Sequence, residues 1–182
     1  MQLSGLIQKM HTHLNRGVAQ YRLPIGNKLL SMNDLVGEQI TLSFNHNIQC
    51  SHCGKKTNKS YSQGYCYPCS QKLARCDLCI MRPETCHYHL GTCREPQWGL
   101  DNCFSPHVVY LANSSGVKVG ITRKGNIPNR WIDQGAISAL PILEVDARLK
   151  SGELEMALKQ YVNDKTNWRK MLKNEVSPVD LL

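Results

Sequence analysis

Two short patterns in this chain have the residue types and spacing to hold a metal: Cys50-Ser51-His52-Cys53 and Cys66-Tyr67-Pro68-Cys69. Each C-x-x-C knuckle turns two thiolates toward one point. The twelve residues between the knuckles are enough to return as a hairpin. Four soft ligands then complete a tetrahedron that suits Zn²⁺. Gly54, directly after Cys53, and Gly64, just before the second knuckle, suit the tight backbone that such a site needs.

A second group follows. Cys76-Asp77-Leu78-Cys79 supplies two ligands, and Cys86-His87-Tyr88-His89 repeats the spacing with His in the last place. The spacing favours Cys76, Cys79, Cys86 and His89 as a second zinc set. Cys93 and Cys103 are a rival pair, with His87 also in reach. Closed four-ligand sites of this kind are structural and stabilise a segment too poor in large apolar residues to fold alone. The βαβ pattern that accompanies a thioredoxin-like redox pair does not surround these cysteines. Lys55, Lys56, Lys59, Tyr61, Tyr65, Tyr67, Lys72 and Arg75 interleave through the same stretch, a pattern that can grip phosphates and stack bases.

The second chemical candidate is Val108–Thr122, VVYLANSSGVKVGIT. It reads as a β-hairpin whose three-residue loop Ser114-Ser115-Gly116 places Gly116 in the left-handed position. That loop sets Tyr110 opposite Gly120 and Ala112 opposite Lys118. One face is then wholly aliphatic (Val109, Leu111, Val119, Ile121), and the other carries Tyr110, Lys118, Gly120 and Thr122. A loop of even length would mix the two classes, and one face of such a hairpin is usually the buried one. Glycine weakens a strand, so Gly120 implies that something approaches it closely.

The elements around the hairpin follow from pattern. Residues 124–136 predict a short helix, capped at Asn126 or Ile127, with Pro128 in its first turn and Gly135 at its end. Arg130 and Gln134 share one face of it. Residues 137–147 predict a strand. Residues 151–162 predict a helix capped by Ser151, with Leu154, Leu158, Tyr161 and Val162 as its buried stripe. Trp168 begins a further helix. Upstream, VAQYRLPIG (18–26) and GEQITLSF (37–44) alternate like strands, with turn signals at Asn15-Arg16-Gly17 and Gly26-Asn27.

The order β-β-α-β-α, with Tyr on the first strand and x-x-Gly on the second, resembles the GIY-YIG nuclease fold. The first motif of that fold maps to Val108-Val109-Tyr110 and the second to Lys118-Val119-Gly120. The family's helical arginine maps to Arg130, and its metal-binding glutamate to Glu155, with Glu153 the alternative. The resemblance implies that Tyr110 helps activate water and Arg130 stabilises phosphoryl charge. Glu155 would hold a divalent cation, Mg²⁺ or Mn²⁺, that assists the leaving group. Lys118 stands where the family usually has a second tyrosine; an ammonium there can contact phosphate. The cysteine knuckles followed by PHVVYLA, KVGIT and RWIDQGA also look like a bacterial domain-of-unknown-function family that joins cysteine clusters to this module.

These readings assemble into an α+β chain of three parts. A small antiparallel β-domain spans 1–48, a zinc-ribbon-like middle 49–105, and a GIY-YIG-like module 106–182. With 41% hydrophobic and 20% charged residues, the chain is globular rather than disordered. Its formal net charge of +8 favours an acidic partner, DNA or RNA first. Two thiolate-rich zinc sites would reduce that surplus to roughly +4 to +5. No basic n-region precedes an apolar stretch, and no run is long enough to span a bilayer. The expectation is therefore a cytoplasmic protein with no membrane partner. Three functions fit: a metal-dependent endonuclease, a nucleic-acid binder without cleavage, and a zinc-stabilised adaptor for a protein partner.

Overall fold

The turn at Arg16-Gly17 has both residues at positive φ, 48° and 80°, which matches the twist of a tight hairpin. It joins β1 (His11–Asn15) to β2 (Val18–Ile25), and Gly26-Asn27 joins β2 to β3 (Lys28–Ser31). The computed structural model describes residues 1–182, and its first sheet is this antiparallel meander, in the order β1-β2-β3. Asn33 fastens the following 3-10 turn to β2. Its Oδ1 accepts from the Tyr21 amide at 2.7 Å, and its Nδ2 donates to the Ala19 carbonyl at 2.9 Å.

Residues 37–44 do not form the strand that their alternation predicts. Ile40, Leu42 and Phe44 are more than half exposed, and no neighbouring ladder takes up their backbone groups. Alternation supplies an apolar edge but not a partner for it. The unit then runs through the first cysteine knuckles into a short helix, α1 (Tyr67–Lys72). By its contacts the chain divides into two units, Met1–Cys76 and Asp77–Leu182, so the boundary falls inside the cysteine-rich stretch.

The second unit opens with α2 (Leu78–Met81) and α3 (Pro96–Cys103). Its sheet has β4 (His107–Asn113) at the centre, flanked by β5 (Val117–Arg123) and β6 (Ser138–Val145), all antiparallel. The β4–β5 register pairs Tyr110 with Gly120, Ala112 with Lys118, Leu111 with Val119 and Val109 with Ile121. Residues 114–116 form the loop, as the segregation of side chains requires. Between β5 and β6 lies α4 (Asn129–Asp133); after β6 come α5 (Arg148–Leu158) and α6 (Trp168–Leu172).

Both faces of the hairpin are covered, not one. Val109 and Val119 have no exposure, and neither do Tyr110 and Ala112. Ile127, Trp131, Ala136 and Ala139 pack over Val108, Tyr110 and Ala112, and α5 lies across all three strands. Burying the polar face as deeply as the aliphatic one obliges its polar groups to find partners.

Three helix details differ from the sequence pattern. A 3-10 turn at Lys124–Asn126 precedes α4, and Pro128 is the cap rather than a first-turn residue. α5 begins a turn earlier than Ser151, at Arg148. The buried Ser151 hydroxyl donates to the Arg148 carbonyl at 2.7 Å instead of capping a terminus. Tyr161 lies beyond the end of α5, where the helical phase is lost, and is 84% exposed instead of joining the buried stripe.

Candidate functional site

The first knuckle is built by backbone hydrogen bonds. The Gly54 amide donates to the Cys50 carbonyl at 2.9 Å, and the Cys50 amide to the Lys55 carbonyl at 2.9 Å. Ser51 ties this knuckle to the turn preceding the second one. Its amide donates to the Gly64 carbonyl at 2.7 Å, and its hydroxyl donates to the same carbonyl at 2.9 Å. Gly64 sits at φ +134°, and a Cβ there would stand 2.5 Å from Ser51 Oγ. Both facts require glycine. Cys66 caps α1, with Pro68 in the first turn, which directs Cys66 and Cys69 back toward the first knuckle.

The ligand atoms of Cys50, Cys53, Cys66 and Cys69 lie within 4.8 Å of one another, with Cys53 Sγ and Cys66 Sγ 3.8 Å apart. A tetrahedron of about 2.3 Å Zn–S bonds has edges of about 3.8 Å, so the cluster has the dimensions of a single-ion zinc site. Its electrostatics agree. Backbone amides, Cys53 first, hold the Cys50 thiol down to about 6 against its burial. Burial, then hydrogen bonding to the other thiols and the charge of Cys50, pushes Cys69 up to about 12. One thiolate is favoured and the next is resisted by it, a conflict that a bound dication removes. This cluster can bind zinc.

The second cysteine group is arranged differently. Asp77, Cys79 and His87 offer ligand atoms within 4.8 Å of one another, a trio the spacing did not single out. Asp77 is already engaged: Oδ1 accepts from the Leu78 amide at 2.6 Å as the cap of α2, and Oδ2 pairs with Arg94 Nε at 2.7 Å. His87 Nε2 lies 3.5 Å from the same Oδ2, and Nδ1 lies 2.7 Å from Thr92 Oγ1. His89 sits within the 3-10 turn Tyr88–Leu90, and Cys76 ends the first unit.

The hairpin residues come together around Tyr110. Its hydroxyl donates to Gln134 Oε1 at 2.8 Å, and its ring meets Trp131 edge-on at 5.9 Å between centroids. Burial raises its pKa most. Arg130 opposes that through charge and hydrogen bonding, Glu155 adds to it, and Gln134 opposes it. Lys118 is buried, and Nζ donates to Thr166 Oγ1 at 2.5 Å. Burial lowers its pKa, as does Arg130, while Asp164 and Glu155 raise it. Thus Arg130 and Glu155 each act on both Tyr110 and Lys118. Arg130 is exposed, Glu155 half-buried, and Tyr110 and Lys118 are beneath them.

Glu155 and its alternative separate by environment. Glu153 points to solvent. Glu155 is held above the usual carboxylate range by burial first, with Asp164 and Glu84 reinforcing this and Lys159 and Arg148 opposing it.

Residues 37–182 match the family described as protein of unknown function (DUF2797). The chain belongs to the DUF2797 family. No curated protein and no solved structure matches it. The DUF2797 span begins after β3 and holds both cysteine groups together with Tyr110, Lys118, Arg130 and Glu155. Pattern alone did not point to Asp164 and Thr166, which this DUF2797 chain also brings to the cluster. They follow α5 in a segment without periodicity. Asn163 pairs with Lys118 in a parallel bridge, and its carbonyl accepts from the Val119 amide at 2.7 Å. Gln134, four residues after Arg130, caps the end of α4, and its bond to Tyr110 follows only from the fold.

Proposed function

We propose that this DUF2797 protein is a zinc-stabilised, nucleic-acid-directed phosphodiesterase of GIY-YIG-like type, whose working groups are Tyr110, Lys118, Arg130 and Glu155. The observation that supports this reading is a proximity: Arg130 and Glu155, from two helices, each act on Tyr110 and on Lys118, which lie on paired strands. Arg130, exposed above that phenol, meets a phosphate first and stabilises its developing charge. Lys118 adds a second cation. Glu155 would hold Mg²⁺ or Mn²⁺, which when bound supplies Lewis-acid stabilisation of the leaving oxygen. The interleaved Lys and Tyr residues of the zinc region support nucleic acid as the ligand class. Lys59 Nζ stands 5.5 Å from the Tyr61 ring centroid, and Tyr67 is more than half exposed.

A second reading has its own observation. Tyr110 has no exposure, and its hydroxyl is already donated to Gln134. A phenol so placed suits a binding protein that positions Arg130 and does not cleave.

The experiment is fluorescence anisotropy with labelled single-stranded DNA, duplex DNA and RNA over a range of salt, followed by gel analysis of the same mixtures after adding Mn²⁺. Salt-sensitive binding with metal-dependent cleavage supports the first reading. Binding without cleavage supports the second. No binding at low salt removes both and leaves a zinc-stabilised adaptor for a protein partner.

A further inference from the structure

The cysteines of the second unit are placed by their own set of packing contacts. A Cβ on Gly99 would stand 3.3 Å from Cys93 Sγ and 3.2 Å from the Tyr88 ring, so α3 docks directly on both. Cys103 lies four residues after Gly99, one turn along the same face. A Cβ on Gly152 would stand 2.6 Å from Pro83 Cβ, which fixes the turn leading into Cys86 against α5. Arg148, also on α5, donates from Nη2 to the Ile80 carbonyl at 2.6 Å, immediately after Cys79.

These contacts bring four thiols into one region of the second unit. After burial and Asp77, the charges that act most on Cys79 are Cys86, Cys103 and Cys93. Cys86 and Cys93 likewise act on Cys103. Arg148 is the second observation. Its Nε is buried with no hydrogen-bond partner, and the side chains that act most on its guanidinium are the thiols of Cys103 and Cys79. A buried guanidinium lacking a full set of acceptors needs a stable anion beside it. Four thiolates around a metal centre of charge +2 carry roughly −2 and can accept N–H···S bonds.

We propose that Cys79, Cys86, Cys93 and Cys103 form a second, four-thiolate metal centre for a thiophilic metal, with Arg148 as its buried counter-charge. The ligand chemistry is common to a single Zn²⁺ and an iron–sulfur cluster. The centre fastens the cysteine loops to the start of α5, two turns before Glu155. It differs from a Cys76–Cys79–Cys86–His89 set in drawing all its ligands from the second unit.

The test uses the full-length protein, purified without oxygen. Metal and acid-labile sulfide are measured, and native thiols are mapped by alkylation and mass spectrometry. The expected result is two metal centres per chain, with Cys79, Cys86, Cys93 and Cys103 protected until the metal is stripped. Two zinc ions identify the simple site; one zinc with iron, sulfide and visible absorbance identifies the cluster. Cys93→Ser and Cys103→Ser lose the second centre, whereas Cys76→Ser and His89→Ala keep both. Arg148→Met loses the second metal to chelator about tenfold faster. The wild-type measurement remains decisive even if the variants misfold. A single metal with these four thiols freely alkylated overturns the proposal, as does loss of the second metal in Cys76→Ser and His89→Ala but not in Cys93→Ser.

Discussion

The Tyr110 side chain lies across Gly120 on the neighbouring strand: a Cβ at position 120 would stand 2.7 Å from its Oη and 2.8 Å from its Cζ. The strand glycine is therefore explained by a side chain of the same hairpin rather than by a ligand. Gly120→Ala should destabilise the protein by about 1–3 kcal/mol, because Gln134 and Trp131 hold the ring in place. Thermal denaturation checks this. In a Tyr110→Ala background most of that cost should vanish; an equal cost in both backgrounds would locate the strain elsewhere.

Tyr110→Phe isolates the hydroxyl. It leaves Gln134 Oε1 without its donor at a buried position and should cost about 1–3 kcal/mol in denaturant unfolding. Gln134→Leu added to it should recover part of that loss, since both polar groups are then absent. A double variant no more stable than Tyr110→Phe would show that this pair is not coupled.

Zinc at Cys50, Cys53, Cys66 and Cys69 should be released by acid, because protons compete for the thiolates. Its loss should unfold the surrounding knuckles, seen as rapid proteolysis between residues 48 and 73. Cys66→Ser should remove this zinc and give the same cleavage without chelator. Unchanged protease resistance after verified zinc removal would mean that the metal is not structural.

Glu155 links the candidate site to stability. Its carboxyl is held above the ordinary range, chiefly by burial, so the charged form is disfavoured in the folded state. That penalty is fully present above the folded pKa and disappears as pH falls through the ordinary carboxylate range, where both states are protonated. Glu155→Gln should therefore melt higher than the wild type at pH about 7.5, with the gap closing below pH about 4. Mn²⁺ should narrow the gap at neutral pH by stabilising only the wild type. A gap independent of pH would remove the burial argument.

What could be read from the sequence had a short-range physical cause. The hairpin register followed from side-chain segregation over fifteen residues, and the first cysteine cluster followed from two knuckles whose geometry is local. What could not be read depended on contacts distant in sequence. Residues 37–44 have strand alternation and no partner strand. Ser151 looks like a cap, yet α5 starts at Arg148, whose guanidinium binds the Ile80 carbonyl 68 residues upstream. The burial of Lys118 depends on Thr166, 48 residues away in an aperiodic segment. Cys93 packs against Gly99 on α3, a contact that the spacing of the cysteines does not reveal.

The most direct test of the central claim is single-turnover cleavage of a labelled oligonucleotide panel in Mn²⁺, comparing wild type with Arg130→Ala and Glu155→Gln. A working site predicts cleavage by the wild type, with each variant slower by about 10²-fold or more while nucleic-acid binding falls much less. No cleavage by zinc-replete wild type, or equal cleavage by all three proteins, would contradict it.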